Sequence, residues 1–156
     1  MNFPEIGKKA PAFTLPNQND EKVSLADFRG KNVVIYFYPK ASTPGCTVQA
    51  CGIRDSKKAF EKLNTVVLGI SPDEPSRLRN FTVKKELNFT LLSDVGHVVA
   101  DTYGVWGPKK FMGRVFDGIH RISFIIDAKG TLRHIMEKVK TKSHHDDVIA
   151  FIEENL

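Results

Sequence analysis

Two short apolar runs constrain the fold of this 156-residue chain more than any other feature of its sequence. Residues 32–38 read Asn-Val-Val-Ile-Tyr-Phe-Tyr, and residues 66–71 read Val-Val-Leu-Gly-Ile-Ser. Runs of this length, rich in β-branched and aromatic residues, are typical of strands buried on both faces. A helix is predicted between them at residues 44–63, and strands that alternate with helices indicate an α/β layer fold.

Further elements are predicted on both sides of these runs. Residues 13–15 and 22–25 flank a turn-rich segment and predict an N-terminal β-hairpin. The chain beyond residue 71 is expected to form a helix at 75–87, a strand at 91–92, a helix at 95–103 and a hairpin from 121–127 and 131–139. The closing hairpin makes the predicted central sheet a mixed one, with helices on its faces.

The C-terminal helix has a recognisable start. Ser143 and Asp146 match the Ser-x-x-acid capping box, and an apolar stripe follows at residues 148, 149, 152 and 156. The sequence contains no repeat, low-complexity segment or linker. Residues 1–156 are therefore predicted to form a single domain.

Charge and hydropathy narrow the functional classes. Lys and Arg give a net charge of +5 but are mixed with Asp and Glu along the chain, which favours a solvated basic surface over nucleic-acid binding. The longest apolar run, residues 33–38, is far shorter than the roughly 20 residues of a membrane-spanning helix. The N-terminus lacks the pattern of a secretory signal, so the cytoplasm is the expected compartment and no membrane partner is expected.

Cys46 and Cys51 are the only cysteines, and their spacing favours redox chemistry. Five histidines lie at 97, 120, 134, 144 and 145. No Cys-x-x-Cys or His-x-x-x-His spacing occurs, so neither a metal site nor a cofactor is predicted. Two nearby cysteines in a cytoplasmic chain are typical of a redox-active pair. His144 and His145, in the first turn of the last helix, are expected to be exposed.

The segment around Cys46 predicts an activated thiol. Thr43 suits the N-cap and Pro44 the first helical position, which puts Cys46 at N3. There the unpaired N–H groups and the helix dipole favour the thiolate, the form that attacks a peroxide O–O bond. An inert buried cysteine is the alternative, and the helix start and second cysteine argue against it. A redox cysteine just after an early strand makes the predicted architecture thioredoxin-like.

Helix geometry limits how Cys46 and Cys51 can react. On one ideal helix their Cα atoms lie roughly 8.6 Å apart, whereas a disulfide needs Cα atoms within about 6.8 Å. The helix must therefore unwind before the two sulfurs can bond. Gly52 weakens a helix by roughly 1 kcal/mol relative to alanine, but it also suits close packing against a strand, and the sequence leaves both interpretations open.

These residues resemble the active-site motif of the peroxiredoxins. The pattern Pro39-x-x-x-Thr43-x-x-Cys46 matches that motif. Residues 36–51 are similar to the Q-type subgroup, the bacterioferritin comigratory proteins, in which the resolving cysteine follows the peroxidatic one by five residues. The similarity continues at residues 104–107, 118–124 and 142–146. The resemblance implies a thioredoxin fold, a monomer and reduction of hydroperoxides with thioredoxin, or a similar dithiol, as the electron donor.

The resemblance also implies roles for single residues. Cys46 corresponds to the peroxidatic cysteine and Cys51 to the resolving one, which would close an intramolecular disulfide. Thr43 corresponds to the threonine whose hydroxyl holds the peroxide, and Pro39 to the proline that shields the pocket from water. Arg121 corresponds to the arginine that pairs with the thiolate and the peroxide, a role that suits its permanent charge and forked donors.

Several neighbouring side chains keep two interpretations. Trp106, Phe111 and Met112 either line the peroxide pocket or a docking surface, or pack in the core. His120 is expected to be a structural hydrogen-bonding residue rather than an acid or base. Gln49 stands where related proteins often carry an acidic residue.

Three functions are compatible with a reactive cysteine pair. The leading prediction is a peroxidase that consumes hydrogen peroxide and organic hydroperoxides. A thiol–disulfide oxidoreductase on the same fold would normally show Cys-x-x-Cys, which is absent. A redox-sensing or holdase-like protein would use the disulfide to change its affinity for a partner. Peroxide-dependent turnover with thioredoxin separates the first function from the other two.

Overall fold

The computed structural model of the chain describes residues 2–156. The strands are β1 Thr14–Pro16, β2 Lys22–Ser24, β3 Asn32–Phe37, β4 Thr65–Ser71, β5 Thr90–Ser93, β6 Trp106–Phe111, β7 Arg114–Ile119, β8 Ser123–Ile126 and β9 Leu132–Met136. The helices are α1 Pro44–Asp55, α2 Lys57–Lys62, α3 Pro75–Lys84, α4 Val98–Thr102 and α5 His144–Asn155, with a short 3-10 helix at Leu25–Phe28.

The centre of the molecule is a five-stranded mixed sheet in the order β5-β4-β3-β8-β9. The strands β3, β4 and β5 are parallel, with Asn32 opposite Thr65 and Phe37 opposite Ile70, while β8 and β9 run antiparallel to their neighbours. The two apolar runs thus form the two inner parallel strands. The predicted central mixed sheet and N-terminal β1–β2 hairpin are confirmed.

Two apolar cores lie on opposite faces of this sheet. Alternate residues of β3 enter them, as the period of two of a strand requires: Val33, Ile35 and Phe37 on one face, and Val34 and Tyr36 on the other. The first core is covered by α4 and by segments outside the sheet. The second is covered by α1, α2, α3 and α5, so Cys46 lies on the face that carries four helices.

The predicted long helix at residues 44–63 is interrupted at Ser56, which separates α1 from α2. The backbone N–H of Ser56 bonds to the Ile53 carbonyl at 3.1 Å, which tightens the last turn of α1. The side-chain amide of Asn88 donates to the Arg54 carbonyl at 3.1 Å, an oxygen that a continuous helix would bond to residue 58. The long-range contact from Asn88 explains why the local pattern missed the break.

Two other predicted helices are shorter than expected. The α3 helix ends at Lys84 because Glu86 has a φ of 50° and the Leu87 N–H bonds back to the Thr82 carbonyl at 2.9 Å, as in a Schellman motif. The α4 helix begins only at Val98. The Asp94 carboxylate accepts bonds from the N–H groups of Val99 and Ala100 at 3.1 and 2.9 Å, which places the residues before Val98 in a capping turn.

The hairpin formed by β6 and β7 is not predicted by the sequence pattern. Its turn places Met112 at a φ of 51° and Gly113 at 78°, the positive pair that a two-residue type I′ turn requires. Gly113 suits this conformation, whereas Met112 does not signal it. The strands carry Gly and Pro instead of a β-branched run, so their pattern did not predict a hairpin.

The start of α5 is as expected, but its contacts are not. The Ser143 hydroxyl donates to the Asp147 carboxylate at 3.0 Å, and no capping box with Asp146 forms. His144 is only 1% exposed, so the expectation that it lies on the surface is wrong. Its ring packs against Tyr36 of the central sheet, with 5.5 Å between the ring centroids. Within residues 2–156, no helix has the length and apolarity needed to cross a membrane.

Candidate active site

The loop after β3 leads directly into the first turn of α1, where Cys46 lies. Thr43 is the N-cap residue and Pro44 takes the first helical position, so Cys46 is at N3 as the sequence predicts. The side chain of Cys46 is only 1% exposed. Both cysteines are unbonded thiols on α1, with Cys51 half-buried. The structure is therefore the helical, reduced arrangement in which the two sulfurs cannot bond.

The hydroxyl of Thr43 does not cap α1. It donates instead to the Lys40 carbonyl at 2.8 Å. Ser42 between them has a φ of 66°, and this tight turn brings the Thr43 side chain back over the loop. A hydroxyl has one proton and two lone pairs. With its proton committed to Lys40, the Thr43 oxygen is oriented as an acceptor.

Arg121 lies in the short segment between β7 and β8, and its side chain reaches the sulfur of Cys46. Its two terminal nitrogens, NH1 and NH2, lie 3.4 and 3.5 Å from Sγ. Gly45 is beneath the guanidinium, since a Cβ added there would lie 3.5 Å from NH2. The guanidinium thus directs two donors and a permanent positive charge at the sulfur. The structure thus brings together two of the predicted site residues that are 75 positions apart in the chain.

Gln49 joins this pair to two residues, His144 and Ser123, that are not among the predicted site residues. Gln49 is fully buried, and its side-chain oxygen accepts a bond from Arg121 NH1 at 2.7 Å. Its amide nitrogen lies 3.1 Å from Nδ1 of His144. The other ring nitrogen of His144, Nε2, lies 2.7 Å from the Ser123 hydroxyl. No local pattern marks His144 and Ser123, because the contacts from Ser123 to His144 and from His144 to Gln49 form only in the folded chain.

Burial fixes the protonation of His144. The pKa of its imidazole is lowered to about 4, chiefly by burial, with further lowering by His145 and Arg121. Asp147 opposes this shift. At neutral pH the ring is therefore uncharged, with one nitrogen that donates and one that accepts.

The loop that carries Pro39 and Thr43 is anchored by Asp73, a second residue of the site that the sequence motif does not indicate. The buried carboxylate of Asp73 accepts bonds from the Ala41 N–H at 2.7 Å and the Ser71 hydroxyl at 2.8 Å. Pro39 is half-buried at the start of this loop. An aspartate just beyond a buried strand is the signal that could have indicated this anchor.

Two tyrosines form the floor beneath α1. Tyr36 and Tyr38 are fully buried and stack at 5.4 Å between ring centroids. Burial raises the pKa of both phenols well above the ordinary value. Both rings therefore stay uncharged at neutral pH, and they present an apolar surface below Cys46.

Gly52, next to Cys51, packs closely against α5 rather than against a strand. A Cβ added at Gly52 would lie 2.7 Å from Cε1 of the His145 ring. The Nδ1 atom of His145 is buried and makes no hydrogen bond within residues 2–156. The close-packing interpretation of Gly52 therefore applies, with a histidine ring as the neighbour.

The aromatic and methionine side chains that were compatible with either a pocket or docking surface or the core lie on the β6–β7 hairpin. Trp106 stacks on His97 with 3.7 Å between ring centroids. Phe111 and Met112, at the hairpin tip, are 66% and 88% exposed, so core packing is wrong for both. His120 makes a hydrogen bond from Nε2 to the Pro108 carbonyl at 3.1 Å. Among residues 2–156, no three His, Cys, Asp or Glu side chains cluster in a way that could hold a metal ion.

Comparisons with known proteins agree with this geometry. The model of the AhpC/TSA family matches residues 6–135. A Haemophilus influenzae protein named putative peroxiredoxin bcp is 61% identical over 152 residues, which cover 97% of this chain and 98% of that protein. Peroxiredoxin Bcp of Escherichia coli is 54% identical over 155 residues and 99% of both chains.

The fold is similar to that of a solved relative as well. The bacterioferritin comigratory protein of Xanthomonas campestris superposes with a TM-score of 0.86 at 30% identity, over 91% of this chain and 90% of that one. This similarity confirms the predicted thioredoxin-like α/β fold. It also confirms the resemblance that the motif around Cys46 indicated.

Proposed function

This chain belongs to the AhpC/TSA family and is a peroxiredoxin, and on that premise we propose that it reduces hydrogen peroxide and organic hydroperoxides through Cys46 and Cys51. The observation that carries the proposal is the position of Cys46 Sγ, buried at N3 of α1 with two guanidinium nitrogens of Arg121 at 3.4 and 3.5 Å. The similar protein of Xanthomonas campestris has an alkyl peroxide reduction activity, which supports organic hydroperoxides as substrates.

In the first step the Cys46 thiolate attacks one oxygen of the hydroperoxide. The O–O bond breaks, Cys46 becomes a sulfenic acid, and the second oxygen leaves as an alkoxide or hydroxide that takes up a proton. Arg121 stabilises the negative charge that moves from sulfur to the leaving oxygen. The Thr43 oxygen, oriented as an acceptor, receives the O–H of the bound hydroperoxide. Pro39 shields the sulfur from bulk water.

In the second step α1 opens and Cys51 attacks the sulfur of the sulfenic acid. The S–S bond forms and the oxygen leaves with a proton as water. Opening is required because both cysteines lie on one helix, where their Cα atoms are too far apart to be bridged. Two electrons from a dithiol protein, which we propose is thioredoxin, then reduce the disulfide by thiol–disulfide exchange and restore both thiols.

Steady-state turnover tests the proposal. Wild-type protein with thioredoxin, thioredoxin reductase and NADPH should consume NADPH only when peroxide is added. Cys46→Ser should abolish this turnover. Cys51→Ser is the matched control: it should still form one sulfenic acid per chain, detectable by mass spectrometry, but should not form the intramolecular disulfide. Full turnover in Cys46→Ser, or reduction of insulin disulfides without peroxide by the wild type, would contradict the proposal.

A further inference from the structure

A continuous line of four polar contacts runs from the central sheet to the reactive sulfur. It begins at Ser123 on β8, passes through His144 on α5 and Gln49 on α1, and ends with Arg121 against Cys46. The lengths along the line are 2.7, 3.1, 2.7 and 3.4 Å. The middle members, His144 and Gln49, are both buried, so water does not compete for their polar atoms.

Only one assignment of donors and acceptors satisfies every contact along this line. Arg121 has only protons to give, so Gln49 must present its oxygen to it. The amide nitrogen of Gln49 then faces Nδ1 of His144, which must be the unprotonated nitrogen. In a neutral ring the proton is consequently on Nε2, which donates to the Ser123 hydroxyl. The lowered pKa of His144 agrees with this neutral form.

We infer that His144 is a positioning residue for the peroxidatic site, which orients the side chain of Gln49 and through it fixes the guanidinium of Arg121 against the Cys46 thiolate. This inference rests on the proposed peroxidase function. It assigns a task to a histidine that is remote in sequence from Cys46 and touches neither the sulfur nor the peroxide.

The orientation of the Gln49 amide is the point on which His144 acts. The two ends of an amide have nearly the same shape and differ only in hydrogen bonding. If Nδ1 of His144 did not accept, Gln49 could rotate and present its NH₂ group to Arg121. Two donors would then face each other, and the guanidinium would shift away from its 2.7 Å bond and from the sulfur. A displacement of this kind lowers the rate of the step that depends on Arg121.

Two substitutions at position 144 separate this role from simple packing. An asparagine side chain places an acceptor oxygen where histidine has Nδ1, whereas a glutamine amide reaches the place of Nε2. The rate constant for oxidation of Cys46 by hydrogen peroxide, measured in a single turnover, should stay within about threefold of the wild type in His144→Asn. It should fall about tenfold in His144→Gln, the loss expected for one buried hydrogen bond to a charged pair.

A double-substitution cycle tests whether the effect passes through Gln49. In a Gln49→Leu background the amide is gone, so His144→Gln should cause no further change in the rate of Cys46 oxidation. His134→Gln is the matched control, because this ring stacks on Phe151 at 4.2 Å, about two turns along α5 from His144, and should leave the rate unchanged. Equal rates for the two His144 variants, or a tenfold loss that persists without Gln49, would overturn the inference.

A third variant applies if His144→Gln does not fold. Ser123→Ala removes the acceptor for the Nε2 proton of His144. The proton can then move to Nδ1, and a protonated Nδ1 no longer accepts a hydrogen bond from Gln49. The rate should fall about threefold with Gln49 present and remain unchanged in Gln49→Leu. An unaltered rate in Ser123→Ala would count against the inference. If wild-type Cys46 itself does not react with peroxide, the proposed function fails first, and this inference fails with it.

Discussion

The two halves of α1 are held by different kinds of contact. Around Cys46, the side chains of Arg121 and Gln49 form directed polar bonds that continue to His144. Around Cys51, the neighbouring Gly52 lies against the His145 ring, whose buried Nδ1 makes no hydrogen bond within residues 2–156. Directed hydrogen bonds position the turn that carries Cys46. The turn that carries Cys51 packs against a ring, and the directed bonds of that half lie at its end, where Arg54 bonds to Asn88 and Lys85.

This difference matches the two tasks that the helix has in the proposed cycle. Attack on a peroxide requires the sulfur and guanidinium to be held within tenths of an ångström, which directed hydrogen bonds provide. Disulfide formation requires that the same helix open, and a turn that is held by packing opens at lower cost than one that is held by directed hydrogen bonds. The bonds that favour the first step therefore oppose the second, because Cys46 and Gln49 make them from α1 and unwinding of α1 disrupts them.

Among changes to the half of α1 around Cys46, here called the polar half, loss of Arg121 should lower the rate of Cys46 oxidation most. In Arg121→Ala the thiolate loses its positive neighbour and the leaving oxygen its donor, so the rate constant for Cys46 oxidation should fall about 100-fold or more. Stopped-flow oxidation with hydrogen peroxide measures this rate. Arg54→Ala, on the same helix but paired with Asp55 at 2.9 Å, is the control and should change the rate less than twofold. Equal losses in both variants would remove the special role of Arg121.

Sequence predicted the parts of this comparison that depend on local signals. The Thr43-Pro44 start of α1 and the N3 position of Cys46 follow from capping preferences within four residues. The inner strands follow from unbroken apolar runs. Arg121 required the resemblance to a family, because nothing in its neighbours distinguishes it from other arginines.

The missed features all depend on contacts between distant residues. His144 is polar and follows a helix cap, so a surface position was expected; only the folded chain supplies the buried acceptor and donor that satisfy it. The break at Ser56 depends on Asn88, and the loop before α1 on Asp73. Local periodicity carries no information about partners that lie tens of residues away.

Acid should weaken the polar half through His144. The pKa of His144 is lowered from 6.5 to about 4 in the folded chain. Between these two pH values the imidazole is protonated in the unfolded chain but stays neutral in the folded one. The contribution of the neutral ring is full above pH 6.5 and is lost as the pH falls towards 4. The corresponding loss in the free energy of unfolding is at most about 3 kcal/mol. Arg121, His145 and Asp147 face the ring and modify the shift.

Comparison with His144→Asn isolates this effect, since carboxylates and His134 titrate in both proteins. Denaturant unfolding at several pH values should show the wild type losing more stability than the variant between pH 6.5 and 4. Parallel curves for the two proteins would show that the ring does not resist protonation in the folded state.

A smaller effect is expected at the turn of α1 where Gly52 packs against the His145 ring. In a His145→Ala background, Gly52→Ala meets no ring and should stabilise the helix by about 1 kcal/mol. The open population should fall about fivefold, and disulfide formation should slow by the same factor. Peroxide attack uses the folded helix and should keep its rate. Rapid-quench alkylation of the free thiols measures the second step separately from the first.

The native His145 background gives the opposing case. There the same Gly52→Ala substitution puts a Cβ 2.7 Å from Cε1, so the ring or the helix must move and the gain in helix stability is offset. Disulfide formation should then slow less than fivefold, or become faster. If the slowing were the same with and without the ring, the His145 contact would not hold this half of the helix. The difference between the two halves of α1 would then lie in the hydrogen bonds around Cys46 alone.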